Sequence, residues 1–129
     1  MRLTAIFVIV SAFSLVGLMA QDDLAQFQPL MKAAAGGQRA AMQAVQGGDA
    51  AAAKAGAKDA AENLDKIAAF FKAKGKDDAV KFAEEARDAA KAASEAGSVE
   101  DIQANLRKMG PNCQGCHAQY RMGNAFKNL

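Results

Sequence analysis

The stretch SVEDIQANLRKMGPNCQGCHAQYR, residues 98–121, holds the chain's plainest periodicity. Apolar side chains recur at Val99, Ile102, Leu106 and Met109, in steps of three and four that share one face of a helix. The same steps carry Cys113, Cys116, His117 and Tyr120 onto that inward face. Ser98 followed by Asp101 is a capping-box-like start. Pro111 is expected to break the helix just before Cys113 or to start a fresh turn there.

Three further helices precede this one. The first is expected from about Asp22 to Gln46, with a seam of Leu24, Phe27, Met31, Ala34, Gln38, Ala41 and Val45, and ends at Gly47-Gly48. Pro29 lies early in it and is expected to kink it, or to mark its true start. Asp49 caps the second, Ala50 to about Lys74, whose late seam is Ala57, Ala60, Leu64, Ile67 and Phe71. Gly75 closes it. Asp77 or Asp78 opens the third, with Val80, Ala83, Ala86, Ala90 and Ala93 inward and Gly97 at its end. No stretch alternates as a strand would. The fold class is therefore all-α, an antiparallel up-down-up-down four-helix bundle.

The composition agrees. Of 129 residues 51% are hydrophobic, but aromatics are only 6% and Trp is absent, because alanine supplies much of the apolar count. Alanine forms helices best and lets them approach closely. The net charge is +2, with Lys and Arg scattered among Asp and Glu. With no basic stripe and no interleaved aromatics, nucleic acid is not an expected partner.

The N-terminus reads as a secretory signal, residues 1–20, followed by one domain, residues 21–129. Met1-Arg2 is a short positive start, Leu3 to Met19 is uncharged and apolar, and Ala20 precedes Gln21-Asp22-Asp23. The run approaches the length of a membrane span, so retention as an anchor is the alternative, and the only route to membrane association. Either way the domain is expected outside the cytoplasm, in the periplasm.

Cys113-Gln114-Gly115-Cys116-His117 is the sharpest signal, and it uses both cysteines and the only histidine. Three residues apart on a helix, two sulfurs share a face and can form thioether bonds to two vinyl groups along one haem edge. C-x-x-C-H is the attachment signature of c-type haem, with His117 next to Cys116 as the iron ligand. The expected cofactor is one covalent haem c, enclosed by the bundle. A disulfide between Cys113 and Cys116 would close too small a loop to stabilise much. A thiol redox pair normally accompanies a βαβ pattern. A zinc site wants four ligands, and only three soft ones exist.

With one histidine, a bis-histidine haem is excluded within a monomer, and methionine is the next candidate for the iron's other side. Met31 and Met42 lie on the first helix, three turns apart, and at most one can face the iron; the bland reading makes both core residues. Gly36 and Gly37, costly within a helix, suggest a close approach there, such as a porphyrin edge. Arg121 is a candidate to screen haem propionates.

A C-terminal haem motif on a four-helix chain resembles the cytochrome c′ family and its low-spin c556 relatives. The similarity is most specific over Leu106–Gly110 and Cys113–Arg121, and over Leu30-Met31-Lys32 with Gly37 and Met42. The resemblance implies that the first helix supplies the residue facing the distal side of the iron and that Met31 takes that place; Pro29 departs from the family pattern. It implies an electron-transfer cytochrome serving redox partner proteins of the periplasm, as a monomer or homodimer. The alternative is a five-coordinate haem protein that binds nitric oxide or carbon monoxide. A haem-free helical module with a redox-active cysteine pair is a third reading. No paired carboxylates or nucleophile constellation stands out, so no enzyme is expected.

Overall fold

Four helices form where the apolar steps run: α1 Phe13–Gln46, α2 Ala50–Ala73, α3 Asp77–Glu95 and α4 Val99–Tyr120. The computed structural model describes residues 13–129. The expected signal segment, residues 1–20, falls largely on residues 1–12, outside the described residues. The links begin where their glycines predict. Gly48 and Gly75 take the left-handed conformation, with φ of 74° and 67°, which glycine adopts without steric cost. The Asp49 carboxylate accepts from the Ala52 N–H at 3.0 Å, and Ser98 Oγ from the Asp101 N–H at 3.1 Å, so both expected caps form. Asp77 and Asp78 lie inside the first turn of α3, behind Lys76 as its boundary residue, where their charge favours the helix N-terminus.

Three expectations are corrected. α1 extends back to Phe13, so Pro29 lies within the helix and does not mark its start, while α4 passes unbroken through Pro111. Each proline frees the carbonyl four residues earlier, at Ala25 and Arg107. Both prolines and both of those residues are solvent-exposed, so water can take up the freed group. Beyond α4 the chain forms a small antiparallel hairpin, β1 Arg121–Met122 with β2 Ala125–Phe126, pairing Arg121 with Phe126 and Met122 with Ala125. Gly123, with φ of 60°, begins its two-residue turn.

Each helix packs on the next, α1 on α2, α2 on α3 and α3 on α4, in an antiparallel four-helix bundle. The seams point inward as read, and Phe71, Ile102, Leu106 and Met109 are the largest fully buried side chains. Each is worth about 1.5–3 kcal/mol of burial. Among the described residues no polar or charged residue is buried. None of their helices is long and apolar enough to cross a membrane.

Gly37 does meet a close approach, but the partner is α2. A Cβ on Gly37 would stand 2.7 Å from the backbone N of Ala60 and the carbonyl O of Gly56. One on Gly56 would stand 2.7 Å from the N of Ala41. Gly36 is exposed and would meet nothing. The expected porphyrin edge at these glycines is thus replaced by helix-on-helix backbone contact. α1 and α4, by contrast, scarcely touch, because a cavity separates them.

Candidate functional site

The cavity measures about 490 Å³, within the range of cofactor sites. α4 and its C-terminal boundary supply Cys113, Cys116, His117 and Arg121 to its wall, and α1 supplies Met31. Five residues singled out from sequence, spread over ninety positions, therefore line one space. Met42 does not line it; it packs against the core. Leu64 and Ile67 of α2 and Phe82, Ala83 and Ala86 of α3 complete the apolar sides.

The electrostatics of α4 suit a neutral ligand set. Burial, then the nearby Arg121 guanidinium, holds the His117 imidazole below its usual pKa. A neutral imidazole is the form that binds metal. Neither cysteine is in a disulfide, and both are half-buried. Burial raises the Cys113 thiol, and burial with the charges of Cys113 and Asp78 pushes Cys116 up to about 11. Both stay protonated at neutral pH, a poor state for thiol–disulfide exchange, which proceeds through the thiolate. Among the described residues no three His, Cys, Asp or Glu side chains converge to hold a bare metal ion.

The hairpin forms a wall that the sequence reading missed. Phe126 lines the cavity and packs against Phe27 at 4.7 Å between ring centroids, while Phe27 lies 5.1 Å from Phe70 and 5.4 Å from Phe71. Gln28 Nε2 donates to the Asn124 carbonyl at 3.4 Å, bringing the hairpin turn to α1. The Lys127 N–H donates to the Tyr120 carbonyl at 3.0 Å and Asn128 Nδ2 to that of Gln119 at 2.8 Å, occupying acceptors at the end of α4. The available signal was the dipeptide Gly123-Asn124, a hairpin turn former set between short flanks. Tyr120, buried, donates its hydroxyl to the Asp78 carboxylate at the start of α3.

These residues fit a haem. Two neutral thiols three apart and a neutral imidazole face an apolar cavity from one helix, as a macrocycle attached along one edge requires. Lys32 and Arg121 are the only charged side chains among its lining residues, both cationic, which suits a pair of carboxylates.

The family model of Cytochrome C′ matches residues 66–121, from the later half of α2 through the end of α4 and one residue beyond. No curated protein and no solved structure matches the chain. The matched segment contains the complete Cys113–His117 motif and the α3 and α4 walls of the cavity, and over that segment the chain is similar to the cytochrome c′ family, c-type haem proteins of electron transfer or gas binding.

Proposed function

We propose that this chain is a periplasmic electron carrier with one haem c, bound through thioether bonds at Cys113 and Cys116 and ligated by His117 and Met31. What supports the reading is one observation: Cys113, Cys116, His117 and Met31 line the same cavity. When bound, the haem supplies a one-electron iron couple, whose potential thioether ligation and burial tend to raise. The chain's own residues keep His117 neutral, exclude water with apolar walls from every helix, and set Lys32 and Arg121 where carboxylates need cations. No residue with a role in covalent catalysis is called for, so the chain serves as a carrier. Its partners are redox proteins that dock transiently where the haem edge is reached. Residues 1–20 direct export, by a cleaved signal or as a retained anchor.

The gas-binding reading has its own support in the α1 wall, where Leu24 and Phe27 stand beside Met31. Without a methionine ligand, that wall leaves the iron an open apolar side for nitric oxide or carbon monoxide. The test is the visible spectrum of the periplasmically matured protein, oxidised and reduced, before and after carbon monoxide. A low-spin spectrum unmoved by the gas, and converted by Met31→Ala to a high-spin, gas-sensitive one, is the expected result. A high-spin parent that already shifts with carbon monoxide rules out the Met31 assignment. A parent without haem, given competent maturation, ends the proposal.

A further inference from the structure

Gly115, the second of the two residues between Cys113 and Cys116, has no conformational need to be glycine. It lies inside α4 in helical conformation, where alanine is the better helix former. Its neighbour supplies the reason. A Cβ at position 115 would stand 2.6 Å from Cε1 and 2.9 Å from Cζ of Phe82, closer than real Cβ atoms approach anything. Phe82 is itself a wall of the cavity. Room for a methyl group at 115 therefore requires either that the ring shift, reshaping the cavity, or that α4 recede and take both thiols with it.

A second contact fixes the other side of the same turn. One turn before Phe82 on α3, the Asp78 carboxylate accepts from the Tyr120 hydroxyl and from the Ala79 N–H. Cys116 and His117 lie between Gly115 and Tyr120 in the chain, so the segment presenting one thiol and the imidazole is held to α3 on both sides. We propose that Phe82, seated against Gly115, is a positioning residue that sets how Cys113, Cys116 and His117 are presented to the haem. The inference rests on the haem reading. Asp78 and Tyr120 share the task, and Phe82 itself contributes no ligand.

The experiment is periplasmic maturation of the full chain as parent, Gly115→Ala, Phe82→Leu and the double variant. It measures covalent haem per chain by intact mass, helix content by circular dichroism, and the visible spectrum of the loaded protein. The attachment signature leaves position 115 free, so loss of loading cannot be charged to the motif. Gly115→Ala is expected to keep its helix content, load haem several-fold less well and show a more high-spin spectrum in the fraction that loads. Phe82→Leu in the same chain is expected to restore both, a non-additivity that two independent structural defects would not give. Phe82→Leu alone is expected to load haem and to shift its spectrum. Should Gly115→Ala fail to accumulate, the Phe82→Leu spectrum decides, and one identical to the parent's overturns the proposal. A Gly115→Ala protein loaded and coloured like the parent also overturns it, as does a double variant no better than Gly115→Ala. A parent without covalent haem removes the haem reading and this inference together, whereas a haem-bearing parent confines any failure to the inference.

Discussion

The two ends of the bundle are built on opposite rules. At one end α1 and α2 meet backbone to backbone through Gly37, Ala41, Gly56 and Ala60, so the helices are as close as their main chains allow. At the other end the same two helices carry Leu24, Phe27, Met31, Leu64, Ile67 and Phe71, and α1 stands off from α4 across the cavity. Small residues zip the helices where nothing is to be held, and large ones keep them apart where something is. The difference teaches that one pair of helices is packed by opposite rules along its length, small residues at one end and large ones beside the cavity at the other.

If ring packing maintains the open end, the largest loss follows from removing its most buried ring. Phe71 is 1% exposed and packs against Phe27, Phe70 and Tyr120. Phe71→Ala is expected to cost about 3–5 kcal/mol in urea unfolding. A loss under about 1 kcal/mol would mean that the open end collapses to fill the gap, and that rings do not hold it open.

The closed end is tested by one methyl group at neighbouring positions. Gly37→Ala places a Cβ 2.7 Å from backbone atoms of α2, which has no side chain to move aside, and is expected to destabilise by about 1–3 kcal/mol. Gly36→Ala meets nothing and should stabilise by up to about 1 kcal/mol through helix propensity alone. Thermal unfolding of the pair reads out the contrast. Equal shifts would break the comparison, because the zip would then hold no more tightly than an exposed helix surface.

The periodic residues made most of this legible. Helical steps in α2, α3 and α4 gave the inward faces, and the only Cys and His residues marked the cavity wall before the cavity was known. Gly37 was readable as a close approach but not as to what, since its neighbour Gly56 lies nineteen residues on, across a turn, while Gly36 beside it meets nothing. Pro29 and Pro111 both fall off the apolar seams, and on that solvent face the carbonyls they free reach water, so neither ends its helix. Phe82 was invisible because its importance is a contact between elements, not a spacing within one, and the Gly123-Asn124 dipeptide was the one signal for the hairpin that carries Phe126.

The link between α3 and α4 beside the cavity should show itself in pH. The Tyr120 phenol, hydrogen-bonded to Asp78, is pushed from 10.0 up to about 12. A raised pKa means the folded state holds that proton more tightly than the unfolded one. The contribution is therefore complete below pH 10 and is lost as pH rises through about 12. The same bond, chiefly, holds the Asp78 carboxyl below its usual 3.8, so its share is present above that value and fades as pH falls through the lowered one. Tyr120→Phe is expected to flatten both limbs of the stability profile. Tyr120 is the only tyrosine, so the phenolate absorbance of the parent gives its pKa directly, and an ordinary value near 10 would dissolve the link.

The smallest effect belongs to a clasp at the open end. Lys74 Nζ meets both carboxylate oxygens of Asp23 at 2.6 Å and lies 5.7 Å above the Phe70 ring, tying the early part of α1 to the residue that ends α2. Because α1 and α2 are not zipped there, this pair is the one charged tie that the two-ends picture singles out. Yet both side chains are partly open to water, at 34% and 20% exposure, where screening and side-chain entropy offset most of the attraction. Asp23→Asn is expected to cost less than about 1 kcal/mol, and the difference should shrink as salt is added. Lys74→Met should cost slightly more, since it also removes the cation above the ring. A salt-independent loss well above that figure would show that the open end depends on a clasp more than on its aromatic packing, and would shift the weight of the comparison from Phe71 to Asp23.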